Sequence, residues 1–283
     1  MLELTGVASV LRGVALIYWL VAIGTLAVVL LRVKPVSKKA IWACVVVAVF
    51  GFLPAKGFWE KKQRETFARE AWAHFRKLCD ERSGERIYKT FTGVKSVLVV
   101  KPLPPATEKD LFDQYWYGDP YSSATATRTR GESAAGTLLT IKYTNGQNDL
   151  GLEFVEIQYG NGNLRYVELT LTEKPPFRQL REVKRPLSRF ALSWEDISTP
   201  KDRSHWVAGS KLRLIDRSDG SVIAERVGYL IESGFGSQAG ARRPWLTSRG
   251  PKTTCPSIKN GDFEDRWFIF RALNPVKGNG HGE

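Results

Sequence analysis

Gly13–Leu31, GVALIYWLVAIGTLAVVLL, is the stretch that decides the architecture. Its 19 residues carry no charge. At about 1.5 Å per residue such a run makes roughly 28 Å of helix, close to a bilayer core of about 30 Å. Tyr18 and Trp19 lie inside the run rather than at its ends, so they do not form an aromatic belt. A second uncharged run, Ala40–Ala55, has 16 residues. Alone it reaches about 24 Å, and Lys38, Lys39 and Lys56 at its ends can snorkel to extend that reach. The two runs, spanning about 13–31 and 40–55, predict a transmembrane helical hairpin over residues 1–56. No A-x-A-like site follows either run, which argues against a cleaved signal peptide, and the alternative to the hairpin is a buried core helix pair in a soluble protein.

Loop charge predicts the orientation. The connector holds Arg32, Lys34, Lys38 and Lys39, whereas the tail before the first run holds Arg12 and Glu3. This bias places the connector in the cytoplasm and both ends of the hairpin outside. Lys56, Lys61, Lys62 and Arg64, beyond the second run, oppose it.

Past the hairpin the period is helical. Phe67, Ala71, Phe75, Leu78 and Cys79 make one apolar stripe with charged residues opposite, and Ser83-Gly84 is a stop signal. An amphipathic helix and connector are therefore expected over 57–92. From Gly93 the pattern becomes that of strands. GVKSVLVVK, TLLTIKY and the pair LEFVEIQY/LRYVELTLT around Gly160–Asn163 are β-branched or alternating. KLRLID and SVIAERVGYLIES flank a turn at Arg217–Gly220. DRWFIFRALNP is apolar enough for a last strand or a short helix. Residues 93–275 are expected to form one mostly antiparallel β domain, an α+β arrangement with the leading helix, and 276–283 a disordered tail.

The 283 residues have room for one to two domains, and 43% hydrophobic with 25% charged is globular composition. Lys+Arg 42 against Asp+Glu 29 gives a net charge of +13. Without residues 1–55, which hold five basic residues and Glu3, the balance is 37 against 28, or +9. Acidic proteins, nucleic acid and anionic lipid are thus electrostatically matched partners. An outward-facing domain removes nucleic acid from that set.

Three cysteines and three histidines, widely scattered, offer no metal site. Cys44 falls in the second apolar run, which leaves Cys79 and Cys255 for the rest of the chain. In an oxidising compartment they are a natural disulfide, and in the cytoplasm two thiols. Spacing alone leaves both readings open. G-x-x-x-x-G-K-[ST], H-E-x-x-H, C-x-x-C and G-x-S-x-G are all absent, so no catalytic residue and no cofactor is assigned. His205 lies near Ser204, Asp202 and Asp196, so a Ser-His-Asp set forms on paper, of a kind that any domain this size offers by chance. Gly234–Gly240 fits a surface loop better than a dinucleotide loop, because Arg243-Pro244 follows in place of a helix. Glu153 and Glu156 project to opposite faces of a strand and make no acid/base pair. Two aromatic and basic segments are candidate interfaces: Tyr115, Trp116 and Tyr117 in the long polar insert, and Arg242, Arg243 and Trp245 in a later loop. Core packing or a solvated loop explains either segment equally well.

Further residues carry a resemblance. The helix ending Leu78-Cys79, then Ser83–Thr90 and Gly93-Val94, resembles the opening of membrane-anchored periplasmic proteins of proteobacteria, a largely uncharacterised group. Val222–Arg226, Gly228-Tyr229, Arg243–Trp245 and Cys255-Pro256 are similar to the C-terminal half of those proteins. The resemblance covers roughly residues 70–275, and its motifs are structural rather than catalytic. It implies an inner-membrane anchor, a periplasmic domain and a bridged Cys79–Cys255 pair. Many of those proteins carry a lipoprotein or single anchor, whereas this chain has two apolar runs. Some are encoded beside type VI secretion effectors, lipases among them, which implies an immunity protein that neutralises a toxin encoded by an adjacent gene. The expectation is therefore a non-enzymatic binding protein with a protein partner and no small-molecule cofactor. The alternative is a structural or assembly factor of the cell envelope.

Overall fold

The structure is a computed structural model that describes residues 3–100, 107–116, 138–139, 151–159, 165–171, 178–247, 250–257 and 264–274. The chain divides into two compact units, Met1–Phe67 and Ala68–Glu283.

The first unit contains helix α1 (Glu3–Arg32) and the start of helix α2 (Val36–Arg82). Both helices are long and apolar enough to cross a membrane. Side chains such as Leu16, Leu20, Ile41 and Phe52 point outward from the pair and are exposed. The Tyr18 and Phe50 rings meet with centroids 5.6 Å apart. These residues are about equally far from the connector along the chain, so the helices run side by side in opposite directions. The Tyr18 hydroxyl also donates to the Phe50 carbonyl. That carbonyl needs an outside donor: Pro54 lies inside α2 and has no N–H to give to the residue four positions back.

The separate helix expected over 57–92 is instead the continuation of α2, which runs without a break through Lys56 and Gly57 to Arg82. Pro54 removes one backbone bond, and Tyr18 satisfies the acceptor. Beyond it, ion pairs one turn apart (Lys56–Glu60, Lys61–Glu65 and Lys77–Glu81) favour the helix.

Among the described residues of the second unit, nine strands form one sheet: β1 (Gly84–Ile87), β2 (Ser96–Val100), β3 (Phe154–Tyr159), β4 (Arg165–Leu171), β5 (Arg178–Val183), β6 (Phe190–Asp196), β7 (Val207–Asp216), β8 (Val222–Ile231) and β9 (Thr254–Cys255). Their order is β1-β8-β7-β6-β2-β3-β4-β5, with β9 also on β8. The expected hairpins β3–β4 and β7–β8 are present and antiparallel. The departure is central: β2 runs parallel to both of its neighbours, β3 and β6. Its SVLVV sequence is buried at its three middle residues, the unbroken apolar run of a strand covered on both faces.

One face of the sheet carries Val97, Val99, Val155, Ile157, Leu169, Leu192, Leu212 and Leu214 into a single core. The apolar side of helix α5 (Glu264–Leu273), with Phe268, Ile269 and Ala272, packs in the same cluster. DRWFIFRALNP is thus a helix. Two more helices are short, α3 (Pro200–Ser204) and α4 (Pro244–Thr247). Glu156 points the opposite way from Glu153 and is fully buried. Its carboxylate accepts the N–H of Leu187 at 2.8 Å and of Ser188 at 2.7 Å, while Glu153 pairs with Lys95 at 3.2 Å. TLLTIKY apart from Leu138 and Leu139, the Gly160–Asn163 turn, the insert from 117 onward and the tail 276–283 lie outside the described residues.

The sheet also brings the two cysteines together. α2 passes through Ser83 into β1, which pairs with β8 from Val227 to Ala224. β9 pairs with the adjoining part of the same β8 edge, Cys255 opposite Tyr229. The last turn of α2 therefore lies beside β9, and Cys79 and Cys255 are disulfide-bonded with Cα atoms 5.7 Å apart.

Candidate functional site

The two candidate interface segments, distant in sequence, form one lobe over the end of the β7–β8 hairpin. Its floor is Ala208 and Leu230, on which Leu111 and Trp245 are buried, with Phe112, Trp116 and Trp206 packed around them. Backbone and side-chain bonds join the segments. The Trp245 N–H donates to the Leu111 carbonyl at 3.3 Å, and its indole N–H to the Asp113 carbonyl at 2.8 Å. Gln114 donates to the carbonyls of Arg203 and Ser204, each at 2.9 Å. Arg243 pairs with Glu108 at 2.7 Å.

Each predicted residue therefore has a distinct place. Tyr115 is 58% exposed on the rim, and its N–H is fixed by the Asp113 carboxylate at 2.8 Å. Arg243 is also exposed, Trp116 is half-buried against the cluster, and Tyr117 lies outside the described residues. Trp245 is 1% exposed, so its part is packing rather than surface contact. Arg242 is turned inward, where its guanidinium pairs with the buried Glu232.

Glu232 explains the glycine-rich loop. Its carboxylate accepts the N–H of Gly234 at 2.9 Å and of Gly236 at 2.6 Å, so the loop wraps around the charge. A Cβ on Gly234 would fall 1.4 Å from the Arg242 guanidinium. One on Gly236, whose φ is +77°, would fall 2.4 Å from the Trp206 ring. Gly236 needs glycine, because its φ is left-handed and an indole fills the space, whereas a side chain at Gly234 would displace the Arg242 guanidinium. Glu108, Trp206 and Glu232 also belong to the site, and nothing in the spacing of their residue types marks them out in the sequence.

Ser204 and His205 are in contact, the hydroxyl 3.2 Å from Nδ1, while the Asp202 carboxylate is turned to α2. That carboxylate lies 2.6 Å from Nε2 of His74, and the Asp202 carbonyl accepts the His205 backbone N–H at 3.0 Å. The Ser204 hydroxyl and His205 Nδ1 both reach the Lys201 carbonyl, at 2.7 and 2.8 Å. The His74 and His205 rings stack with centroids 4.8 Å apart. Burial pushes the Asp202 pKa up, but the N–H and hydroxyl of Thr199, together with His74, outweigh it and hold the carboxyl below its usual range. Burial raises the Tyr229 phenol, against the opposing bond from Arg82 at the end of α2. Among the described residues no cluster of three His, Cys, Asp or Glu side chains could hold a metal ion. The lobe sets the exposed Tyr115 side chain and the Arg243–Glu108 pair beside a packed aromatic cluster. Comparison with family models, curated proteins and solved structures finds no match to this chain.

Proposed function

We propose that this chain is anchored in a bacterial inner membrane, that its β domain stands in the periplasm, and that it works by binding a protein partner. The partner in this reading is a toxin delivered by type VI secretion and encoded by an adjacent gene, with a lipase the first candidate, and the chain is its immunity protein. One observation carries the proposal: a disulfide closes the β domain, which is joined through one continuous helix to two apolar helices of membrane length. Such bonds persist in oxidising compartments, and outward-facing leucine, isoleucine and phenylalanine side chains favour lipid around the helices.

A tethered inhibitor meets its target at the membrane surface at raised effective concentration. Tyr115 and Arg243 on the rim of the lobe, and the +9 charge beyond residue 55, suit an acidic protein surface. The test is co-purification of the full chain in detergent, disulfide intact, with the product of the adjacent gene, together with a growth assay of that product's toxicity. A stoichiometric complex and restored growth are expected. If the folded, bridged protein forms no complex, the envelope structural factor becomes the better reading.

A further inference from the structure

Among the described residues, β1 ends the sheet with an open edge. The Tyr88 N–H reaches the Ile223 carbonyl at 2.8 Å, so Gly84, Arg86 and Tyr88 direct their backbone groups toward β8. Glu85 and Ile87 then point theirs outward, and no described residue pairs with them. Native sheets usually blunt such an edge, since it is a template for another strand.

Beside the edge lies a groove of about 750 Å³ lined by Ile87, Thr90, Trp267, Phe270 and Arg271. Its far wall is the end of α5, held to the segment after β1 where Phe91 N–H donates to the Ala272 carbonyl at 2.9 Å. Ile87 is 36% and Trp267 43% exposed, so apolar surface faces solvent next to unpaired backbone. The net charge at the edge is positive, with Arg86, Lys89, Arg226 and Arg271 against Glu85 and Asp219. Glu85 is already held by Arg226 at 3.1 Å and by Arg271, which neutralises the edge's carboxylate. Arg86 is exposed and makes no ion pair among the described residues, and Lys89 is half-exposed beside Asp219 at 3.9 Å.

We infer that β1 and this groove are a docking site for an extended, acidic segment of a partner protein, which adds a strand to β1 and places an aliphatic or aromatic side chain against Trp267. Main-chain bonds to Glu85 and Ile87 supply affinity, the groove selects the side chain, and Arg86 and Lys89 select acidic flanks. This rests on the reading of the chain as a protein-binding module, and it names a surface separate from the aromatic lobe.

The probe is a phage-displayed random dodecamer library, selected against the full chain in detergent micelles. Ile87→Pro removes an outward N–H and leaves the β8 ladder whole, and Trp267→Ala removes a half-exposed wall of the groove. Near-ultraviolet circular dichroism checks that each variant folds. Selected peptides are expected to alternate acidic and apolar residues and to lose about tenfold or more in affinity for each variant. Failure to enrich any peptide, enrichment of basic peptides, or affinity unchanged in both variants overturns the inference. So does a concentration-dependent dimer lost in Ile87→Pro, which would assign the edge to a second copy. A toxin complex insensitive to both variants removes this surface and keeps the immunity reading. Peptide binding at β1 without a toxin complex does the reverse.

Discussion

Pro54 would leave the Phe50 carbonyl without a helical donor, and Tyr18 supplies one from the other helix. Tyr18→Phe should therefore weaken the helix pair by about 1 kcal/mol, the scale of such bonds in membranes. The loss should vanish in a Pro54→Ala background, where the residue-54 N–H serves that carbonyl. SDS-titration unfolding of the four proteins in mixed micelles measures the coupling, and equal losses in both backgrounds would reject it. A different contrast holds in the lobe. Trp245→Ala empties a buried indole site and should cost about 3–5 kcal/mol in denaturant unfolding, whereas Tyr115→Ala should stay within about 0.5 kcal/mol and act on partner affinity. Arg242→Glu would set two carboxylates together at Glu232 and disturb the loop, so a charge-reversal test of binding belongs at Arg243.

At the scale of elements, several side chains fasten the last turns of α2 to the β domain, Arg82 on Tyr229 among them. His74 meets Asp202, and five residues later Cys79 is bonded to Cys255. Buried Ala71, Phe75 and Leu78 lie along the same stripe. The disulfide closes a loop with a sequence separation of 176, for which loop-closure entropy sets an upper value of about 5 kcal/mol. Paired replacement of Cys79 and Cys255 by alanine should lower unfolding stability by about 2–5 kcal/mol. His74→Ala in that background should then loosen residues 70–82, seen as faster amide hydrogen exchange there with strands β6 and β7 unchanged. If exchange stays slow along α2, the apolar stripe alone docks the helix.

At the scale of the whole molecule, stability follows the carboxylates that the fold has paired. The Arg189 guanidinium holds the Asp216 carboxyl well below its usual range, burial opposing and Ser218 assisting, and Asp202 is lowered as well. Both folded-state values lie below the unfolded ones. Their contribution is thus complete above the ordinary carboxylate range, and it fades as pH falls below about 4 through the folded values. Thermal unfolding midpoints should be flat from pH 8 to about 5 and drop on further acidification. Asp216→Asn should start lower and show a shallower drop, and an identical acid limb in both proteins would remove Asp216 as a contributor.

Composition and periodicity by themselves determined the two membrane-length apolar helices, the helical stripe ending at Cys79, the β-rich remainder and the hairpins β3–β4 and β7–β8. Each of these depends on residues near one another in the chain, where spacing translates directly into a face or a turn. Short strands such as GERI in β1 and the RQLREV edge carry little apolar alternation, so they were not legible. The parallel placement of β2, the meeting of Cys79 with Cys255, the inward turn of Arg242 and the burial of Trp245 were decided only by the tertiary structure. For β2, Cys79 and Trp245 the partner lies dozens of residues away or across the sheet, and Arg242 is turned inward by Glu232, ten residues back across the glycine loop. An aromatic or basic side chain has the same sequence signature whether it faces solvent or a buried carboxylate, and only the register of the sheet separates the two.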